Sequence, residues 1–313
     1  MVRMLVRRVL ISLPVLFIVS VLSFVLINLI PGNPAQTLLG PLATPDQIAR
    51  LRTQMGLDEP VWLQYWNWLM NAFHGNLGSS LFTAEPVTSI LGSRLEVSIS
   101  LVVLGTVASA LVGMTLGVIS ALRGGWVSRL VDTLSLAGMA IPNFWLGLAL
   151  IVIFAVDIRL FPANGYVPVE DSPLGWVQTL VLPVVALAVG GTTIIAAQTR
   201  DSVQDTLGRD FVRVLKANGL SARSVLFKHV LRAAAIPIVT VIGVVFVGLL
   251  SGTVFVETLF SLPGLGSAAV QATLQHDYPV VQGAVLYFTL MVVVLNLGLD
   301  LLYAWLNPKV RVR

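Results

Sequence analysis

Six basic side chains, Arg209, Arg213, Lys216, Arg223, Lys228 and Arg232, fall within the stretch RDFVRVLKANGLSARSVLFKHVLR, between two long uncharged runs. Cations grouped in this way can face anionic lipid headgroups. Other chemistry is thinly represented. The lysines are Lys216, Lys228 and Lys309, and none follows a glycine or precedes Ser or Thr, so a phosphate-cradling GxxxxGK[ST] loop is excluded. The absence of cysteine removes disulfides, thiol catalysis and thiolate metal sites. His74, His229 and His276 lie in different connections without ligand spacing, so no metal and no cofactor is expected in this chain. Two carboxylates, Glu257 and Asp300, border apolar runs, where ionisable groups carry either function or interfacial charge.

The elements that must position these groups are set by composition. The chain has 313 residues, 56% hydrophobic and 11% charged, far from the roughly 25% charged residues of soluble domains. A helix needs about 20 apolar residues to cross a bilayer, and six uncharged stretches qualify: Val9–Ile30, Val97–Leu122, Thr133–Val156, Trp176–Thr199, Ala233–Val256 and Val280–Leu299. The fold class expected is therefore all-α, a polytopic membrane protein with six transmembrane helices. The first run is too long for a secretory h-region and lacks an A-x-A site, so it reads as a retained anchor, residues 1–30.

A net charge of +4 would suit nucleic acid in a soluble protein, but no nucleic-acid partner is expected here, because the charge is sorted by connection. Fifteen basic residues fall before span one, between spans two and three, between spans four and five, and after span six; only Arg50, Arg52, Arg94 and Arg159 fall elsewhere. Short cytoplasmic loops retain Lys and Arg, which predicts a plasma-membrane protein with both termini and the 200–232 loop cytoplasmic.

Residues 31–95 then form the large external segment. Thr44-Pro45-Asp46-Gln47 supplies an N-cap, a first-turn proline and a capping-box glutamine, with Gly56 as a stop. A second helix is expected from Asp58, carrying Trp62, Tyr65, Trp66, Leu69 and Phe73 on one face for headgroups or for docking. Pro142, Pro183 and several glycines interrupt the spans, as close helix packing requires.

In the basic segment, Phe211, Val214 and Leu215 share a helical face until Asn218-Gly219 stops it, and Ala222, Val225, Leu226 and Val230 resume the pattern. Two short amphipathic helices meeting at a glycine could face membrane lipid or receive force from a soluble motor.

Motifs along nearly the whole chain decide between these. LIPGNPA (29–35), GLDEPVWLQYWNWL, GNLGSS (75–80), IPNFWLGL (141–148), LFPANG (160–165), RVLKANGLSARSVLFKHVLRAAAIP (213–237), ETLFSLPGLG (257–266) and DYPVVQG (277–283) occur in order. Together they resemble a permease subunit of the binding-protein-dependent ABC importers, in the dipeptide, oligopeptide and nickel group. The large segment between spans one and two resembles the first permease of the usual heteromeric pair. One departure is that Arg213-Val214-Leu215 and Arg232 stand where the general motif has Glu-Ala-Ala and a proline, with Pro237 five residues later.

The resemblance implies a type I ABC importer transmembrane fold over residues 96–306, with a basic cytoplasmic tail at 307–313. It implies a coupling contact with an ATPase at Val214, Leu215, Ala217, Asn218, Gly219, Leu220, Ser221 and Ala222. The implied partners are a second related permease, two cytoplasmic ATPase subunits that use ATP and Mg, and an external substrate-binding protein. Glu257, Pro263, Gly264 and Gly266 are candidates for an outer gate, and di- or oligopeptides are the expected cargo. The chain itself is expected to be no enzyme. A secondary transporter or channel for a small polar solute is the alternative, weakened by the scarcity of intramembrane charge. A purely anchoring protein would have no need of the 200–232 knob.

Overall fold

The computed structural model describes residues 2–30 and 32–306, so the basic tail expected at 307–313, and Pro31 of LIPGNPA, lie outside the described residues. The chain is helical, and the described residues contain no strand, only an isolated antiparallel bridge between Ser79 and Pro86. Two compact units are present. Of the described residues, the first contains those up to 98 and 263–294, the second 99–262 and 295–306.

The first unit holds α1 (Val2–Asn28), α2 (Pro34–Leu39), α3 (Pro45–Gln54), α4 (Val61–Phe73), α12 (Leu265–Gln275) and the early turns of α5 (Val87–Arg123) and α13 (Tyr278–Leu306). Thr44 caps α3 as a complete capping box with Gln47, as the spacing predicts. Helix α4 starts three residues later than expected, at Val61. Pro60 holds the N-cap in an extended conformation, and Asp58 turns back to accept hydrogen bonds from Thr53 Oγ1 at 2.8 Å and Arg52 Nε at 3.0 Å. Those two donors hold the Asp58 carboxyl below the usual carboxylate range, the Thr53 hydrogen bond foremost.

The aromatic face expected on α4 is divided. Tyr65 and Trp68 turn towards α1, where Tyr65 meets Phe24 edge-on at 5.4 Å and its hydroxyl lies 2.9 Å from Ser20 Oγ. Trp62, Trp66 and Phe73 remain 71%, 54% and 76% exposed. The core of this unit joins Ile27, Leu77, Val87, Leu91, Leu265, Val280 and Ala284.

The second unit contains the rest of α5, then α6 (Gly125–Ala140), α7 (Asn143–Leu150), α8 (Pro173–Leu207), α9 (Asp210–Ala217), α10 (Ala222–Ser224), α11 (Leu231–Leu259) and the end of α13. Helix α7 continues as a π-helical stretch, Ile151–Asp157, and α10 as another, Val225–Val230. Among the described residues, five helices are long and apolar enough to cross a membrane, and Asn143–Asp157 is a shorter apolar helix. The third expected span is thus broken. Ile141, which precedes a proline, is extended at φ −87° and ψ 120°, and Pro142 offers no N–H to bridge the gap. Pro183 and Pro237, by contrast, remain inside α8 and α11.

Small residues set the closest approach within this unit. A Cβ added at Gly117 would lie 2.5 Å from the Ala196 carbonyl oxygen, and one at Gly113 would lie 2.8 Å from that of Thr192. Helices α5 and α8 therefore touch backbone to backbone, as membrane helices do when dispersion rather than water drives them together.

Candidate functional site

The segment 200–232 begins differently from its sequence boundary, because α8 runs on to Leu207 and stops only at Gly208. Ser202, Val203 and Thr206 are buried, and that burial holds the polar run RDSVQDTL in the helix. Arg200 adds to it: its guanidinium donates to Asp201 at 2.9 Å and also to Asp132 of α6, an inter-helix ion pair that the sequence did not reveal.

Beyond Gly208 the chain forms a knob. Val212, Val225 and Val230 are almost fully buried and pack with Val203 and Ala234, while Leu215 and Leu220 pack against the same cluster. The face expected as Phe211, Val214 and Leu215 is therefore split. Leu215 joins Val212 inside, whereas Phe211 is 39% and Val214 57% exposed. An exposed valine beside the tip of a firmly anchored turn suits contact with another surface.

The turn itself has a defined hydrogen-bond pattern. Gly219 N–H donates to Lys216 O at 3.0 Å and Leu220 N–H to Leu215 O at 3.3 Å, the two bonds of a Schellman stop, with Leu215 and Leu220 as its hydrophobic pair. Gly219 supplies the positive φ, +79°, and no atom lies within 4 Å of where its Cβ would be. Glycine is there for the backbone conformation rather than for lack of room. Ser221 then accepts from Ser224 N–H and starts the next helix. Val214, Leu215, Ala217, Asn218, Gly219, Leu220, Ser221 and Ala222 thus form one continuous knob, with Ala217, Asn218, Gly219 and Ala222 exposed.

The gate candidates are less unified. Glu257, near the end of α11 in the second unit, is fully buried, so an exposed interfacial charge does not describe it. Pro263, Gly264 and Gly266 belong to the first unit, where Gly264 and Gly266 are buried and Pro263 is exposed. Gly264 is the N-cap of α12, and the Leu265 N–H donates to Ser98 Oγ at 2.8 Å. The left-handed residue just before this segment is Ser261, at φ +53°.

Within the first unit, Asp277 was missed by the sequence reading. Its carboxylate is buried and accepts from Ser80 Oγ at 2.5 Å and Leu81 N–H at 3.1 Å, and Ser80 Oγ in turn accepts from Phe82 and Thr83 N–H. This network ties GNLGSS to DYPVVQG, two motifs that had only been quoted separately. Gln282 is a second buried tie, accepting from Ser23 Oγ and donating to Ser20 O.

A chain of long apolar helices with small-residue contacts and one cation-rich, anchored knob defines a membrane subunit of a transport system. Comparison with known proteins specifies which. Residues 113–312 match the family model "Binding-protein-dependent transport system inner membrane component", and residues 1–102 match "Binding-prot-dependent transport system membrane comp, N-term". The chain belongs to this family and is a multi-pass inner membrane permease of the ABC importer type. A Brucella abortus (strain 2308) protein named as a peptide transport system permease is 39% identical over 312 residues, covering 99% of each chain. The Escherichia coli (strain K12) glutathione transport system permease protein GsiC is 38% identical over 307 residues, 98% of each chain. Among solved structures, an inward-facing MetNI methionine ABC transporter chain aligns with a TM-score of 0.57 at 16% identity, covering 72% of this chain and 100% of that one, a likeness of fold.

Proposed function

We propose that this permease pairs with a second, related permease to enclose a path for di- or oligopeptides delivered by an external binding protein. A peptide carries charge at both ends and cannot cross hydrocarbon unaided, so a polar path between subunits avoids its desolvation. The relatives named for peptide and glutathione transport support this cargo class. Both termini and the 200–232 segment face the cytoplasm, in keeping with the sorting of Lys and Arg.

Two ATPase subunits, using ATP and Mg, engage the knob, and their closure tilts the helices between two packed arrangements. The observation that carries this reading is the stopped, outward-facing turn at Gly219, held from behind by Val212, Val225 and Val230. Glu257, Pro263, Gly264 and Gly266 act at the opposite surface as gate elements.

Cysteine scanning tests the arrangement cleanly, because the chain has no cysteine of its own. A single Val214→Cys should crosslink to a co-expressed ATPase subunit and be shielded from an impermeant thiol reagent added outside intact cells. Labelling from outside, or peptide uptake with no ATPase co-purifying, would overturn the proposal.

A further inference from the structure

Beside the knob lies an open cavity of about 620 Å³, lined by Phe211, Lys228, His229, Arg232 and Ala233. Lys228 and Arg232 are four residues apart and so stand on the same side of the helical run, and none of the lining residues is acidic. On the knob itself Arg213 pairs with Asp210 at 3.2 Å. The cavity therefore concentrates positive charge, with no carboxylate among the described residues that line it, an arrangement suited to an anion.

Its place on the helix says which anion. Arg232 begins an exposed face of α11 that continues through Ala233, Ile236 and Thr240 to Val244, which is 65% exposed, and Val247, which is 40% exposed. Cationic groups thus end an apolar stripe on a membrane-crossing helix, and Phe211 and Phe227, 39% and 60% exposed, flank them. That is the profile of a phospholipid: phosphate at the surface, acyl chain along the stripe. An acidic protein surface would match the cations but leave the stripe unexplained.

We propose that Lys228, His229 and Arg232, with Phe211, bind the headgroup of an anionic phospholipid whose chains lie along Ala233, Ile236 and Val244.

Native mass spectrometry of the full chain in detergent tests it, with phosphatidylglycerol titrated against phosphatidylcholine. The wild type should retain phosphatidylglycerol preferentially. Each basic side chain near such a headgroup contributes about a fivefold factor, so the Lys228→Gln/Arg232→Gln chain should bind it roughly thirtyfold more weakly. Arg50→Gln, an exposed arginine of the first unit, should bind as the wild type does. Equal retention by the double variant and the wild type overturns the site. Competition by glycerophosphate as effective as that of the intact lipid also overturns it, since the apolar stripe would then contribute nothing. A double variant that keeps its lipid but loses co-purifying protein would assign the cations to a protein contact instead.

Discussion

Replacing Gly219 tests how the knob is built, because backbone strain and bulk can be separated there. With φ at +79°, an L-residue in this position costs about 1–2 kcal/mol, while the space around a Cβ is empty. Gly219→Ala should therefore lower the ratio of stopped to slipped turn by about five- to thirtyfold, read as faster exchange of the Gly219 and Leu220 amides. Val212 and Val230, buried behind the turn, keep the rest of the knob in place, so helix content and membrane insertion should not change. Gly219→Asn provides the control: asparagine tolerates the left-handed region, so the amides should stay protected although the side chain is larger. Gly219→Trp combines strain with bulk at the exposed surface and should separate ATP hydrolysis from uptake in the reconstituted importer. Exchange in Gly219→Ala equal to wild type would refute the account of the turn, and full coupled uptake by Gly219→Trp would refute its role as a contact.

Further outcomes follow from other contacts. Gly117→Val must force α5 away from the Ala196 carbonyl, and overpacking of about 1–3 kcal/mol should appear as a lower midpoint of thermal unfolding in detergent, with Gly92→Ala in the same helix shifting far less because nothing lies near it and its backbone is helical. Asp277→Asn places an amide where a buried carboxylate accepts from Ser80 and Leu81, so a loss of about 1–3 kcal/mol should show as quicker proteolysis within residues 75–83. The Asp58 carboxyl has a lowered pKa in the folded protein, so its ionised contacts with Thr53 and Arg52 help hold the turn between α3 and α4 above the ordinary carboxylate range and are lost as pH falls through the lowered value. Amide exchange across residues 53–59 should accelerate over that acid window, and Asp58→Asn should remove the pH dependence.

Short-range signals were legible in the sequence, and contacts between distant segments were not. The capping box at Thr44, the stop at Asn218-Gly219 and the long apolar runs each depend on neighbours within a few residues, and each is present. The start of α4 differs because Thr53 and Arg52, only five and six residues back, hold Asp58 in the preceding turn, a local side-chain contact that hydrophobic periodicity does not encode. The choice between the faces of α4 was equally hidden. Both are aromatic, and periodicity does not say which one finds Phe24 and Ser20 on α1. Ser80 and Asp277 are 197 residues apart, and nothing in their spacing pairs them. The span at Thr133–Val156 was counted by length, yet Ile141-Pro142 breaks it, because an apolar run reports the solvent a segment prefers and not its continuity.

Helix α8 carries one further implication. Its 35 residues run unbroken from the cap at Ser172 to Gly208, a rod of about 50 Å. A helix is stiff along its axis, so under the proposed coupling a push at the Gly208 end would be carried towards Ser172, with Pro183 the interior point where a backbone hydrogen bond is missing. The backbone contact with α5 near Gly117 lies between the two ends, so a tilt of α8 about that contact would carry its two ends in opposite directions.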